Sequence, residues 1–61
     1  LNGKKVKNLR TRRNHTQKSL AASIGVSRAY IDAIENNRKK PSIGLLEKLA
    51  DELNCSVKYF F

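Results

Sequence analysis

The sequence predicts an all-α domain, a compact bundle of five short helices occupying residues 1–61. Three observations predict it. Apolar residues recur at three- and four-residue spacing, and nowhere do they alternate as in a strand. Thr16, Ser27, Ser42 and Ser56 each precede such a stretch and suit a helix N-cap. Asn14, Gly25, Asn36, Asn37 and Asn54 stand where the stretches end, and these residue types accept the left-handed backbone that terminates helices.

The first helix is expected at residues 3–13. Val6 and Leu9 form a narrow apolar stripe, which Arg10 and Arg13 extend. The other positions are mostly Lys, Arg or Asn, so this helix needs tertiary support. The second covers residues 17–24, with Thr16 as its cap, Leu20, Ala21 and Ile24 as its buried face, and Gly25 as its stop. The third covers residues 28–35 behind Ser27, with Ile31 and Ile34 facing inward. Pro41 and Ser42 open the fourth, residues 43–53. Its Ile43, Leu46, Leu49, Ala50 and Leu53 give the clearest amphipathic stripe in the chain. Ser56 is expected to cap a last short helix at residues 57–61, with Phe60 filling the core and Tyr59 or Phe61 left exposed as a dimer contact.

Size and charge narrow the function. The chain has 61 residues, enough for one domain and too few to enclose a deep active-site cleft. It carries 13 Lys+Arg against 5 Asp+Glu, a net charge of +8. All the acids lie from Asp32 onward, so the first half is purely basic, as suits a face for a polyanion. Cys55 is the only cysteine, so no internal disulfide forms, and a reducing, cytoplasmic setting is expected. No apolar run is long enough for a membrane span or a signal peptide. The lack of any Met points to a piece of a longer product. His15 has no second His and no acid beside it in sequence, so no metal site is expected, and Cys55 reads as a small buried thiol. No cofactor is expected, and no set of catalytic groups supports an enzyme.

The informative stretch is residues 16–36. Two short helices joined by Gly25-Val26-Ser27 make a helix-turn-helix layout, in which small Ala21 permits close approach. At about 100° per residue, the face of the third helix opposite Ile31 and Ile34 holds Ala29, Asp32, Ala33 and Asn36, flanked by Arg28 and Tyr30. Small Ala29 and Ala33 let a helix approach a major-groove floor, and Arg28 can donate to a guanine edge or a phosphate. Asp32 repels phosphate, so its role there is to accept from a cytosine amine or to exclude wrong sequences. Tyr30 suits either the sugar-phosphate backbone or packing on a neighbouring helix. In the basic run from Lys4 to Arg13, Arg13 and the neighbours of Arg10 are the favoured phosphate contacts.

The string Leu9-Arg10, Thr16-Gln17, Leu20-Ala21, Gly25-Val26-Ser27-Arg28, Tyr30-Ile31, Ile34-Glu35-Asn36, Pro41-Ser42, Leu46 and Leu49-Ala50 resembles the phage-repressor/Cro-type (XRE) helix-turn-helix family. The resemblance runs from about Lys4 to Phe61. It implies a five-helix fold of the phage-repressor type with the third segment as recognition helix. It implies that Gln17 meets a backbone phosphate or nearby base. Ser27, Arg28, Ala29, Asp32 and Ala33 match the family's reading positions, with Ser27 also placed to meet phosphate. Asn36, Arg38 and Lys40 match its backbone-contacting loop. Arg10 and Glu35 match a partly buried ion pair, which their positions on the two helices also favour. Asn14 and Asn37 depart from a frequent Gly, and His15 from a usual Leu or Ile.

The expected function is a sequence-specific regulator of transcription, most simply a repressor, that binds double-stranded DNA as a homodimer on a near-palindrome. The alternative is a protein-interaction module on the same fold, such as an antitoxin or a coactivator-type adaptor.

Overall fold

The computed structural model describes every residue from Leu1 to Phe61. Four helices form: α1 (Gly3–Arg12), α2 (Gln17–Ile24), α3 (Arg28–Glu35) and α4 (Ile43–Glu52). The fifth segment is a 3-10 turn, Val57–Phe60, and not an α-helix. The Tyr59 amide donates to the Ser56 carbonyl and the Phe61 amide to Lys58, both three-residue spans of 3.1 Å. So few residues close a 3-10 turn more readily than an α-helix. Ser56 occupies the cap position, but its side chain makes no cap bond. α1 and α4 each end one residue before the expected boundary, with Arg13 and Leu53 as C-caps.

The ends follow the local chemistry of the sequence. Thr16 accepts from the Ser19 amide while the Ser19 hydroxyl accepts from the Thr16 amide, a reciprocal capping box. Ser27 and Ser42 accept from the amides of Tyr30 and Leu45. One cap was not anticipated: Asn2 Oδ1 accepts from the amides of Lys4 and Lys5, opening α1. At the C-termini, Asn14, Gly25, Asn37 and Asn54 all have positive φ. After Asn37, the Arg38 amide reaches back to the Ala33 carbonyl and the Asn37 amide to Ile34. The same paired bonds recur after α1 and α4, so three asparagines each end a helix with a Schellman motif.

The core runs through all five elements: Val6 and Leu9 from α1, Leu20, Ala21 and Ile24 from α2, Ile31 and Ile34 from α3, Leu46, Leu49 and Ala50 from α4, then Leu53 and Phe60. Phe60 is fully buried and closes the bottom. Tyr59 is half-buried with its ring edge-on to Phe60, and Phe61 is exposed. The radius of gyration is 9.8 Å, close to what close packing of this length requires. No helix is long and apolar enough to cross a membrane.

Polar seams tie the helices together. Arg10 Nε donates to Glu35 Oε2 at 2.6 Å and its Nη2 to Oε1 at 3.3 Å, both side chains being buried. The remaining Arg10 Nη1 donates to the His15 carbonyl at 2.8 Å, so one guanidinium fastens α3 and the α1–α2 turn to α1. His15 does have an acid partner, brought from α4: its Nε2 lies 3.2 Å from Glu52 Oε2, and its Nδ1 pairs with the Ser19 hydroxyl. Glu52 is distant in the chain, so only the fold brings the two together. Cys55 is half-buried, and burial pushes its thiol above the usual range, partly offset by Arg13.

Gly3 decides how closely α1 meets α3. It is buried, and a Cβ there would collide with the backbone carbonyl oxygens of Ile34 and Glu35. Its amide donates to Asn37 Oδ1 at 3.0 Å. Asn37 thus ends α3 by its backbone and caps α1 by its side chain.

Candidate nucleic-acid interface

The turn Gly25-Val26-Ser27 sets α2 and α3 against each other through Leu20, Ala21, Ile31 and Ile34. That packing turns every large aliphatic side chain of α3 inward. Arg28 and Ala29 remain exposed, and Asp32 half-exposed. The helix therefore offers a small-residue face with one cation in its first turn.

Two helix N-termini are open beside this face. The amides of Gln17 and Lys18 at the start of α2, and of Arg28 and Ala29 at the start of α3, make no hydrogen bond within the domain. Such free N–H groups, with the positive end of the helix dipole, suit an anion. An open polar depression lined by Thr16, Gln17, Lys18 and Arg28 lies at the α2 terminus. Arg38, Lys39 and Lys40 follow α3, all exposed.

Gln17 holds the site together. Its Nε2 donates to Asp32 Oδ1 at 3.2 Å and to Glu35 Oε1 at 3.0 Å. Its Oε1 accepts a long bond of 3.4 Å from Arg28 Nη1. Asp32 collects further donors: Asn36 Nδ2 at 3.2 Å and Arg38 Nη2 at 2.9 Å. The bonds from Gln17 and Arg38 hold the Asp32 carboxyl below the usual carboxylate range. These contacts join residues 17, 32, 35, 36 and 38 into one patch.

Two residues expected at the contact have other neighbours in the free domain. Arg13 Nε donates to the Leu53 carbonyl at 2.9 Å and its Nη2 to Asn54 at 3.3 Å, so it caps the C-terminus of α4. Cationic side chains satisfy the orphan carbonyls of a helix end in this way. Ala33 is only 9% exposed. The chain after α3 turns back onto its carbonyl, where the Arg38 amide donates at 2.8 Å. Ala33 has little surface for a base edge. Tyr30 is half-buried, packed against the core with part of its surface left open. Ser27 spends its side chain on the α3 cap, and Lys40 is exposed without a partner.

Sequence reasoning missed the Gly3–Asn37 joint and the bracket from Gln17 to both carboxylates. A glycine in the first turn of a helix signals the first. Nothing local signals the second, since Gln17 and Asp32 meet only across the packed turn. Among His, Cys, Asp and Glu side chains, no group of three or more is placed to hold a metal.

Comparison with known proteins agrees with this layout. Residues 6–60 match the helix-turn-helix family model. The chain is 39% identical over 59 residues to the competence pilus inhibition repressor of Acinetobacter baylyi, covering 97% of this chain and 54% of that protein. It is 38% identical over 55 residues to the immunity repressor protein of Bacillus phage phi105, covering 90% of this chain and 38% of that protein. The chain thus spans about half or less of the length of these relatives. Among solved structures, the biofilm master regulator SinR in complex with DNA superposes with a TM-score of 0.89 at 33% identity, covering 97% of this chain and 98% of that one.

Proposed function

The chain belongs to the helix-turn-helix family, and from that membership we propose that it is a sequence-specific, double-stranded DNA-binding regulator of transcription, acting as a repressor. The observation that carries the reading is the α3 face: all large aliphatic side chains turn inward, leaving Arg28 and Ala29 exposed between two open helix N-termini and the Arg38–Lys40 cations. A helix so equipped fits a major groove, with small residues against the base edges and cations toward the phosphates. SinR, a structural relative at 33% identity, is known in complex with DNA, which supports DNA as the partner.

Arg28, Ala29 and Asp32 then read bases. Gln17, Ser27, Asn36, Arg38 and Lys40 meet the backbone. Ala33 at 9% exposure offers little surface to a base, and Arg13, though exposed, bonds the end of α4, so the reading rests on the other residues. The domain measures 23 × 22 × 19 Å, shorter than the roughly 34 Å of one DNA turn, so two copies read a near-palindrome from one side. Ile43 and Phe61, the exposed large apolar side chains, are the candidates for joining the copies. The regulator works in the cytoplasm, where its operator is.

Selection of bound sequences from a random duplex pool tests this reading. The expected outcome is an enriched motif with two half-sites. No enrichment would sink the regulator reading in favour of a protein-interaction module. Arg28→Ala is expected to change base preference at one position of the motif. Lys40→Ala is expected to weaken binding to all sequences and reduce the salt slope by about one.

A further inference from the structure

We propose that Asp32 is an internal stand-in for DNA phosphate, occupying the backbone-contacting side chains of the free domain and thereby lowering affinity for the wrong sequence. The inference rests on the DNA-binding reading above and deepens it.

Three side chains assigned to the DNA backbone all turn a donor toward this one carboxylate. Arg38 reaches Oδ2 at 2.9 Å, while Gln17 and Asn36 each reach Oδ1 at 3.2 Å. Asn36 stands one turn from Asp32 and also donates to its backbone carbonyl at 2.9 Å, but Gln17 and Arg38 come from the start of α2 and the loop beyond α3, so no element of local structure requires those two to converge on it. Carboxylate and phosphate present the same anionic oxygens to such donors. The Asp32 side chain is 41% exposed and that of Arg38 63% exposed, so the cluster lies at the surface, where a phosphate can compete for it. Glu35, one turn away, is different: it is buried and bonded twice by Arg10, so it is not available to DNA.

Binding a duplex with the Gln17 and Asn36 amides means taking those donors from Asp32, and binding it with Arg38 Nη2 breaks the pair at Oδ2. The carboxylate is then left charged and facing a polyanion, which costs free energy on every sequence. A base amine in the major groove, cytosine N4 or adenine N6, can donate to it and relieve the cost. A sequence without an amine at that position cannot. Asp32 is therefore a specificity-determining residue that acts mainly by exclusion.

The test compares wild type, Asp32→Asn and Glu47→Gln. The asparagine removes the charge and keeps a single acceptor oxygen, which can serve Gln17 and Asn36 or Arg38 but not both. The Glu47 variant makes the same charge change on the exposed α4 surface. Each is titrated by fluorescence anisotropy against the duplex obtained by selection and against a random-sequence duplex, over a range of salt. Asp32→Asn is expected to tighten random-duplex binding about tenfold and steepen its salt slope by about one, while the selected duplex gains less. Glu47→Gln is expected to change either by less than about twofold. Asp32→Asn matching Glu47→Gln would overturn the proposal, as would Asp32→Asn losing affinity for both duplexes, which is the mark of a mere bracket for Gln17. Wild type binding neither duplex would instead overturn the DNA-binding reading beneath it.

Discussion

Glu35 and Asp32 stand three residues apart on α3, both accept from the Gln17 amide, and they do opposite work. Glu35 lies on the seam between α1 and α3, where Arg10 bonds it twice away from solvent. Asp32 lies on the exposed face, where its partners Arg38 and Asn36 are also exposed. The burial of each decides what it governs. A buried pair carries stability, because removing one partner strands the other charge. An exposed carboxylate with exchangeable partners carries little stability, and it is free to act on a ligand.

The comparison breaks most visibly at the seam. Glu35→Gln or Arg10→Met is expected to cost about 3–5 kcal/mol. A domain of this length has a total stability on the order of 3–9 kcal/mol, so either variant is largely unfolded in urea titrations well below the wild-type midpoint. A wild-type midpoint for both would mean that the two regions do not differ in kind. Gly3→Ala comes next. The added methyl meets the carbonyls of Ile34 and Glu35, which are backbone atoms of a packed helix and cannot swing aside. Against a helix-propensity gain of up to about 1 kcal/mol, a net loss of about 1–3 kcal/mol is expected from thermal melting.

Arg13→Ala sharpens the contrast from the other side. Its bonds to Leu53 and Asn54 predict a loss of about 1 kcal/mol in stability. Its salt slope for DNA binding should match wild type, whereas Lys40→Ala should flatten it. The smallest effect concerns Asp32 and pH. Its folded pKa is depressed below the usual 3.8, through its bonds to Gln17 and Arg38, so its contribution to stability is present above that value and lost as pH falls through the folded value. The stability difference between wild type and Asp32→Asn should hold steady above about pH 5 and shrink below about 3.8. A difference that stays constant down to pH 2 would remove the Gln17–Asp32–Arg38 cluster from the solution structure.

Much of this architecture was legible in the chain because its signals are local. Thr16, Ser27 and Ser42 cap helices through bonds three residues away, and Asn14, Gly25, Asn37 and Asn54 end them through a left-handed residue. The Arg10–Glu35 pair followed from the family resemblance together with helix geometry. The exceptions are also instructive. The last segment became a 3-10 turn because so few residues support few α-type bonds. Ala33 lies opposite Ile31 by counting steps of about 100°, yet it is only 9% exposed, because such counting treats a helix as isolated. Arg13 read as a phosphate contact because its charge is visible in sequence and its partners, forty residues on, are not.

By itself the sequence determined four helices, their caps, most of the core and the basic character of the first half, since each depends on spacing and residue type over a few positions; it placed Ile43 on the buried stripe of α4, where the structure leaves it 78% exposed at the first turn. Only the tertiary structure decided which charges are free. The same polar groups can meet phosphate or meet one another, and the choice depends on angstrom-scale distances between α2, α3 and the loop after it. Packing buried Arg10, tied the exposed Arg13 to the end of α4, left Arg28 and Lys40 outward, and gathered Gln17, Asn36 and Arg38 around Asp32.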